Sequence, residues 1–175
     1  MYSQPKSSQD YTTHRWIIDT INQSENDWFI SVFKINGTYV DKSGVKRQLV
    51  NSSSLGRFYK SIDWTISTTR RNVNDHTLRF IPFIGGDKES GVSIHIHSLI
   101  EIPKDKKWRL HDSLKKNWSI YVPRSFKCDV KSELWLDVLD KSRIENQLNY
   151  CVRYEGSTFL KGTEKVLFEL DSCLL

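Results

Sequence analysis

Residues 91–103 read Gly-Val-Ser-Ile-His-Ile-His-Ser-Leu-Ile-Glu-Ile-Pro, with Ile94, Ile96, Ile100 and Ile102 at every second position. A period of two belongs to a strand with one face in a core, so His95 and His97 share the opposite face. Residues two apart on a strand lie about 6–7 Å apart and point the same way, so the two imidazoles can converge on one metal ion. A pair of ordinary half-exposed histidines has the same spacing, and nothing within the stretch separates the two readings.

At 175 residues the chain is long enough to bury a core as one domain, 1–175, and 38% hydrophobic with 27% charged residues is a globular composition. No apolar run approaches a membrane span, and Met1-Tyr2-Ser3-Gln4-Pro5-Lys6 lacks the apolar centre of a signal peptide, so a cytoplasmic location and no membrane partner are expected. Cys128, Cys151 and Cys173 are widely spaced without a Cys-x-x-Cys, which points to neither a disulfide framework nor a zinc site. The net charge of +5 and pI near 9.1 favour a polyanionic partner.

Periodicity and turn residues divide the chain. Residues 1–11 are polar and expected to be loose, and Thr12 to Gln23 forms a short helix that buries Trp16, Ile17 and Ile21. Asp27 to Ile35 is an aromatic and β-branched strand stopped by Asn36-Gly37, followed by a loop or weak hairpin to Asn51. Ser52 to Ser54 cap a helix through Leu55, Phe58, Tyr59, Ile62 and Ile66, ending at Arg70-Arg71. Leu78 to Ile84 is a second strand, which Pro82 assigns to an edge or a bulge, and a glycine-bounded turn returns it antiparallel to the histidine strand. A helix from His111 to Asn117, a short strand at Ile120-Tyr121-Val122, a strand from Leu134 to Leu139 and a helix from Arg143 to Glu155 follow. Val166, Phe168 and Leu170 offer an edge strand.

Two groupings carry chemistry. Lys104, Lys106, Lys107, Arg109, Lys115 and Lys116, interleaved with Trp108 and Trp118, suit a nucleic-acid backbone with a ring stacked on a base; a solvated helix face with its tryptophans in the core fits equally well. On the helix around Gly156's approach, Tyr150, Arg153 and Tyr154 share one face. If that face looks onto the histidines, a phenol, a cation and a metal surround one small volume suited to phosphoryl transfer.

The His95-Ile96-His97 strand, followed by Tyr150-Cys-Val-Arg153-Tyr154-Glu-Gly, resembles the HUH endonucleases, and within them the rolling-circle replication initiator (Rep) proteins. Leu78 to Gly86 with the histidine strand looks like that family's second motif, Trp28 to Ile35 like its first, and Tyr150 to Tyr154 like its third. The histidines precede the tyrosine, as in Rep proteins and single-strand transposases. The resemblance implies an α+β fold with a central antiparallel sheet of about five strands flanked by helices. It implies a Mg²⁺- or Mn²⁺-dependent enzyme that nicks single-stranded DNA through a 5′-phosphotyrosine on Tyr150 and frees a 3′-hydroxyl; with no Walker-type loop in these residues, duplex unwinding falls to a host or partner helicase or to a further part of the chain. His95 and His97 would be metal ligands. Two positions depart from the pattern. Arg153 stands where lysine is usual, which favours a phosphate clamp over proton transfer. The carboxylate ligand expected before the histidines falls to Asp87 or Glu89, each of which also fits an ordinary turn. Tyr154 is a second nucleophile or a packing residue. The alternatives are a transposase of the same class, whose helix usually has glutamine where Tyr154 stands, and a non-catalytic nucleic-acid binding module with the same fold.

Overall fold

In the computed structural model, residues 8–40, 42–51, 54–75, 78–85, 93–126 and 130–152 are described, of which 8–14, 39 and 149–152 by backbone alone. The histidine stretch forms strand β5 (His95–Ile102), inside an antiparallel sheet with β1 (Asp27–Asn36), β4 (Phe80–Gly85) and β6 (Lys131–Val138). The strand order is β4-β5-β1-β6, so β5 and β1 are central and β4 and β6 are the edges. Pro82 sits opposite Ser98 in β4, an edge strand, where the missing N–H leaves no ladder bond unmade on the outer side.

The sheet has four strands rather than about five. Between β1 and the next helix, β2 (Thr38–Val40) and β3 (Lys46–Gln48) pair only with each other, as a separate hairpin. Ile120-Tyr121-Val122 is not a strand: it lies within helix α3 (Lys107–Phe126). The β-branched and aromatic triplet before Pro123 carries a strand-like local preference, but Leu110, Leu114, Trp118, Val122 and Phe126 recur every four residues and are all buried on the sheet. Packing of that stripe outweighs the local preference. The segment with Val166, Phe168 and Leu170 lies outside the described residues.

One face of the sheet is covered by α2 (Leu55–Val73) and α3, which also pack on each other. Phe58, Ile62, Ile66 and Val73 of α2 meet Phe29, Phe33, Phe80, Ile96 and Ile100, and Trp118 closes edge-on against Phe33 and Phe58. Asn74 ends α2 in the left-handed conformation at φ 53, with its N–H returned to the last turn beside Arg70 and Arg71. The expected serine cap is replaced by a tether: Ser54 Oγ makes no cap bond and instead donates to the Leu49 carbonyl at 2.7 Å, fixing the hairpin's exit.

The other face is covered by α1 (Ser8–Gln23) and α4 (Ile144–Val152), the latter preceded by a 3₁₀ turn at Lys141–Arg143. Ile17 and Ile21 of α1 and Ile144 and Leu148 of α4 pack on Trp28, Ile30, Ile81, Phe83 and Leu99. Trp16, expected inside, is 37% exposed on the outer side of α1. Glu101, on this face, is buried and held by Ser24 Oγ at 2.7 Å and Asn26 Nδ2 at 3.0 Å, which ties the end of α1 to β5. Among the described residues no helix is long and apolar enough to cross a membrane.

Candidate active site

Alternation along β5 sends Ile96, Ile100 and Ile102 into the α2–α3 core and leaves His95, His97, Leu99 and Glu101 on the α1–α4 face. That face is unevenly covered. Leu99 lies beneath the helices, whereas toward the start of β5 the neighbouring Val32 and Lys34 of β1 are half-buried. The histidines stand at this partly open end, His97 buried and His95 half-buried.

His95 Nε2 and His97 Nε2 are 3.0 Å apart, with the rings at 75° to one another. His95 Nδ1 lies 2.8 Å from the Ser93 carbonyl, which only accepts, so Nδ1 carries the proton and Nε2 presents its lone pair. With no ion bound, His97 Nε2–H donates to it. Burial pushes both imidazoles below their ordinary range; the neighbouring His95 adds to this at His97, which falls to about 4, and the Lys34 ammonium adds to it at His95. Both rings are therefore neutral at neutral pH and no proton competes with a metal.

Gly85 of β4 is paired with His95, and a Cβ there would lie 2.6 Å from His95 Nε2. Only glycine lets this imidazole turn toward His97 across the neighbouring strand. Two ligands at right angles on an octahedral ion, each about 2.1 Å from it, are about 3.0 Å apart, which is the separation of the Nε2 pair. The separation is that of a hydrogen bond between the two rings, and it would equally suit neighbouring positions on a divalent cation such as Mg²⁺ or Mn²⁺ once His97 carries its proton on Nδ1. Among the described residues no group of three His, Cys, Asp or Glu side chains converges; Asp87 and Glu89 lie outside them.

Helix α4 runs over the same face. It follows β6 through the 3₁₀ turn and reaches β4, and Asn146 and Gln147 of α4 line a cavity together with His97. Position 150 follows Gln147 by three and Asn146 by four, one turn further along the same stripe of helix. The backbone of Tyr150 is thus part of the helix that crosses the histidine face; Arg153 and Tyr154 lie outside the described residues.

The basic cluster is elsewhere. Lys104, Lys106, Lys107, Trp108 and Arg109 follow the far end of β5, and His95 and Ile102 are seven residues apart, about 24 Å at strand rise. Lys115 and Lys116 are exposed on α3, over the opposite face of the sheet. Of the two tryptophans, Trp118 is buried and donates to the Glu133 carbonyl at 3.1 Å, while Trp108 is 73% exposed beside the Lys107 ammonium. Lys104 pairs with Glu25 at 2.8 Å, which raises the ammonium and lowers the carboxyl. His111 is half-buried, its ring near those of Phe29 and Trp108, and not a simple surface residue.

No protein-family model, curated protein or solved structure matches this chain.

The cavity beside His97 has a volume of about 410 Å³. Ile30, Val32 and His97 floor it, Trp135 and Asp137 of β6 form one wall, and Arg143, Asn146 and Gln147 form the other. None of the polar wall residues stands out by motif spacing. Trp135 had a signal: Leu134, Leu136 and Val138 alternate with Lys131, Glu133, Trp135 and Asp137, so one large ring sits in an otherwise polar row and is 51% exposed.

Proposed function

We propose that the protein is a metal-dependent endonuclease and strand transferase for single-stranded DNA, of the HUH class and of Rep type. The observation that carries this reading is the His95–His97 Nε2 pair at 3.0 Å on the sheet face crossed by the helix that contains Tyr150. A divalent cation held by His95 and His97, with Asp87 or Glu89 as the oxygen ligand, supplies Lewis-acid polarisation of a phosphodiester.

The chain's own residues do the rest. The neutral His95 imidazole presents its Nε2 lone pair directly, and His97 presents its own once its proton moves from Nε2 to Nδ1. The Tyr150 phenolate attacks phosphorus, a P–O bond to tyrosine forms, the bond to the 3′-oxygen breaks, and that oxygen takes up a proton to leave as a 3′-hydroxyl. Arg153 offsets the charge that develops on the phosphoryl oxygens. Because the phosphoester is retained in the 5′-phosphotyrosine, the reverse step joins strands, as initiation of rolling-circle replication or transposition requires. A partner helicase would supply the single strand.

The test is a covalent adduct. A random-sequence single-stranded oligonucleotide pool, labelled at the 3′ end, is incubated with the protein and Mn²⁺ and resolved under denaturing conditions. A labelled protein band that disappears with EDTA, with His95→Ala and with Tyr150→Phe is expected. No band from the wild type would leave a nucleic-acid binding module of the same architecture, and a band that survives Tyr150→Phe would transfer the nucleophile to another residue such as Tyr154.

A further inference from the structure

We infer that the cavity between β6 and α4 is a pocket for one unstacked base of a single-stranded nucleic acid, selective for bases that carry an exocyclic amino group. The inference rests on the proposed function for its substrate and goes beyond it in naming the residues that read the base.

Size and shape come first. About 410 Å³ falls within the range of small-molecule sites and admits a nucleobase with its sugar. Ile30 and Val32 give an apolar floor, and Trp135 presents a half-exposed indole at the wall. A large ring left half in water on a strand face is a stacking platform, and base stacking on an aromatic side chain is sequence-tolerant.

Edge chemistry then supplies selectivity. Asp137 is exposed at the same wall; its Oδ1 accepts from the Val138 amide at 2.8 Å, and a carboxylate has lone pairs to spare for a further donor. Gln147 Oε1 is buried and has no hydrogen-bond partner among the described residues. A buried acceptor without a donor is destabilising, and a donor from a ligand removes that cost. The Asp137 carboxylate, joined by the Gln147 amide oxygen once that side chain turns toward the cavity, matches the two N–H bonds of an amino group, which adenine, cytosine and guanine have and thymine lacks. Arg143, three-quarters exposed at the other wall, is placed for the phosphate that follows the base. With His97 in the floor, a base seated here holds its phosphodiester beside the histidine pair.

Binding is measured by fluorescence anisotropy with labelled oligo-dA, oligo-dC and oligo-dT in EDTA, so that no cleavage contributes. The wild type is expected to bind oligo-dA and oligo-dC about tenfold more tightly than oligo-dT. Trp135→Leu, which keeps an apolar side chain on β6 but removes the stacking plane, should weaken oligo-dA and oligo-dC about five- to a hundredfold. Asp137→Asn should bring the three ligands within about twofold of each other. Circular dichroism confirms that both variants fold. Equal binding of the three by the wild type, no binding at all, or an unchanged affinity in Trp135→Leu overturns the inference. If the covalent adduct never forms but the base preference is present and is lost in Asp137→Asn, the pocket stands and the nickase reading falls; if the adduct forms without the preference, the reverse holds.

Discussion

The two faces of the sheet differ in how completely their helices cover them. Over one face, α2 and α3 pack on each other as well as on the strands, and their apolar stripes extend the core from Ile102 to Ile94 along β5. Over the other, α1 and the described part of α4 pack on Leu99 and on Phe83, the register partner of His97, and leave His95 half-buried. Between α2 and α3, Asn117 Nδ2 donates to Thr69 Oγ1 at 3.0 Å. On the α1–α4 face His97 and Gln147 border a cavity, and Gln147 Oε1 has no hydrogen-bond partner among the described residues. The cavity lies where the helices leave the sheet partly uncovered.

The largest effect is expected in the closed face. Trp118→Ala removes a side chain that meets Phe33 and Phe58 and should cost about 3–5 kcal/mol in chemical denaturation, while the folded fraction keeps its Mn²⁺ affinity. A changed affinity would show that the two faces are not independent. The open face should be the pH-sensitive one. His97 has a folded value of about 4 against an ordinary 6.5. Between these values the unfolded chain binds a proton that the folded chain does not, so stability falls as pH drops through that window and levels off below it. The full effect is about 3 kcal/mol, and His95 adds in the same direction. Urea denaturation in EDTA at pH 7 and pH 4, compared with His97→Gln, measures it; equal losses in the two proteins would contradict the burial argument.

Gly85→Ala should have a smaller effect on folding and a sharper one on the site. The new Cβ would sit 2.6 Å from His95 Nε2, which forces the ring aside at about 1–3 kcal/mol and should weaken Mn²⁺ binding about tenfold or more, read by titration calorimetry. Unchanged Mn²⁺ affinity would mean that the pair is not the ligand set. The smallest effect belongs to the paired change Lys115→Ala and Lys116→Ala, on the far layer. Stability should stay within about 0.5 kcal/mol, and adduct formation should be unaltered; a large loss of adduct would show that DNA wraps around to α3.

The histidine strand, the amphipathic α2 and the β4–β5 hairpin were legible because each follows a period set within a few residues. Ile94, Ile96, Ile100 and Ile102 are all buried on one face, and β4 returns antiparallel into β5. The Ile120–Val122 segment was misread because local preference and packing disagree there, and the packing partner is a sheet distant in sequence. The cavity was not legible at all. Its walls come from β6 and α4, its floor from β1 and β5, and no spacing relates residues 30, 97, 135 and 147.

By itself, then, the sequence determined which residues alternate, and therefore that His95 and His97 share a face away from Ile96; side-chain direction on a strand is a local property of the backbone. Only the tertiary structure decided what that face meets. It put the helix of Tyr150 on the same sheet face as the histidines, placed Gly85 where His95 needs room, and carried the basic residues 104–109 to the other end of β5. Those relations depend on strand order and on how far two short helices extend over a sheet, and both are settled by burying apolar area between segments far apart in the chain.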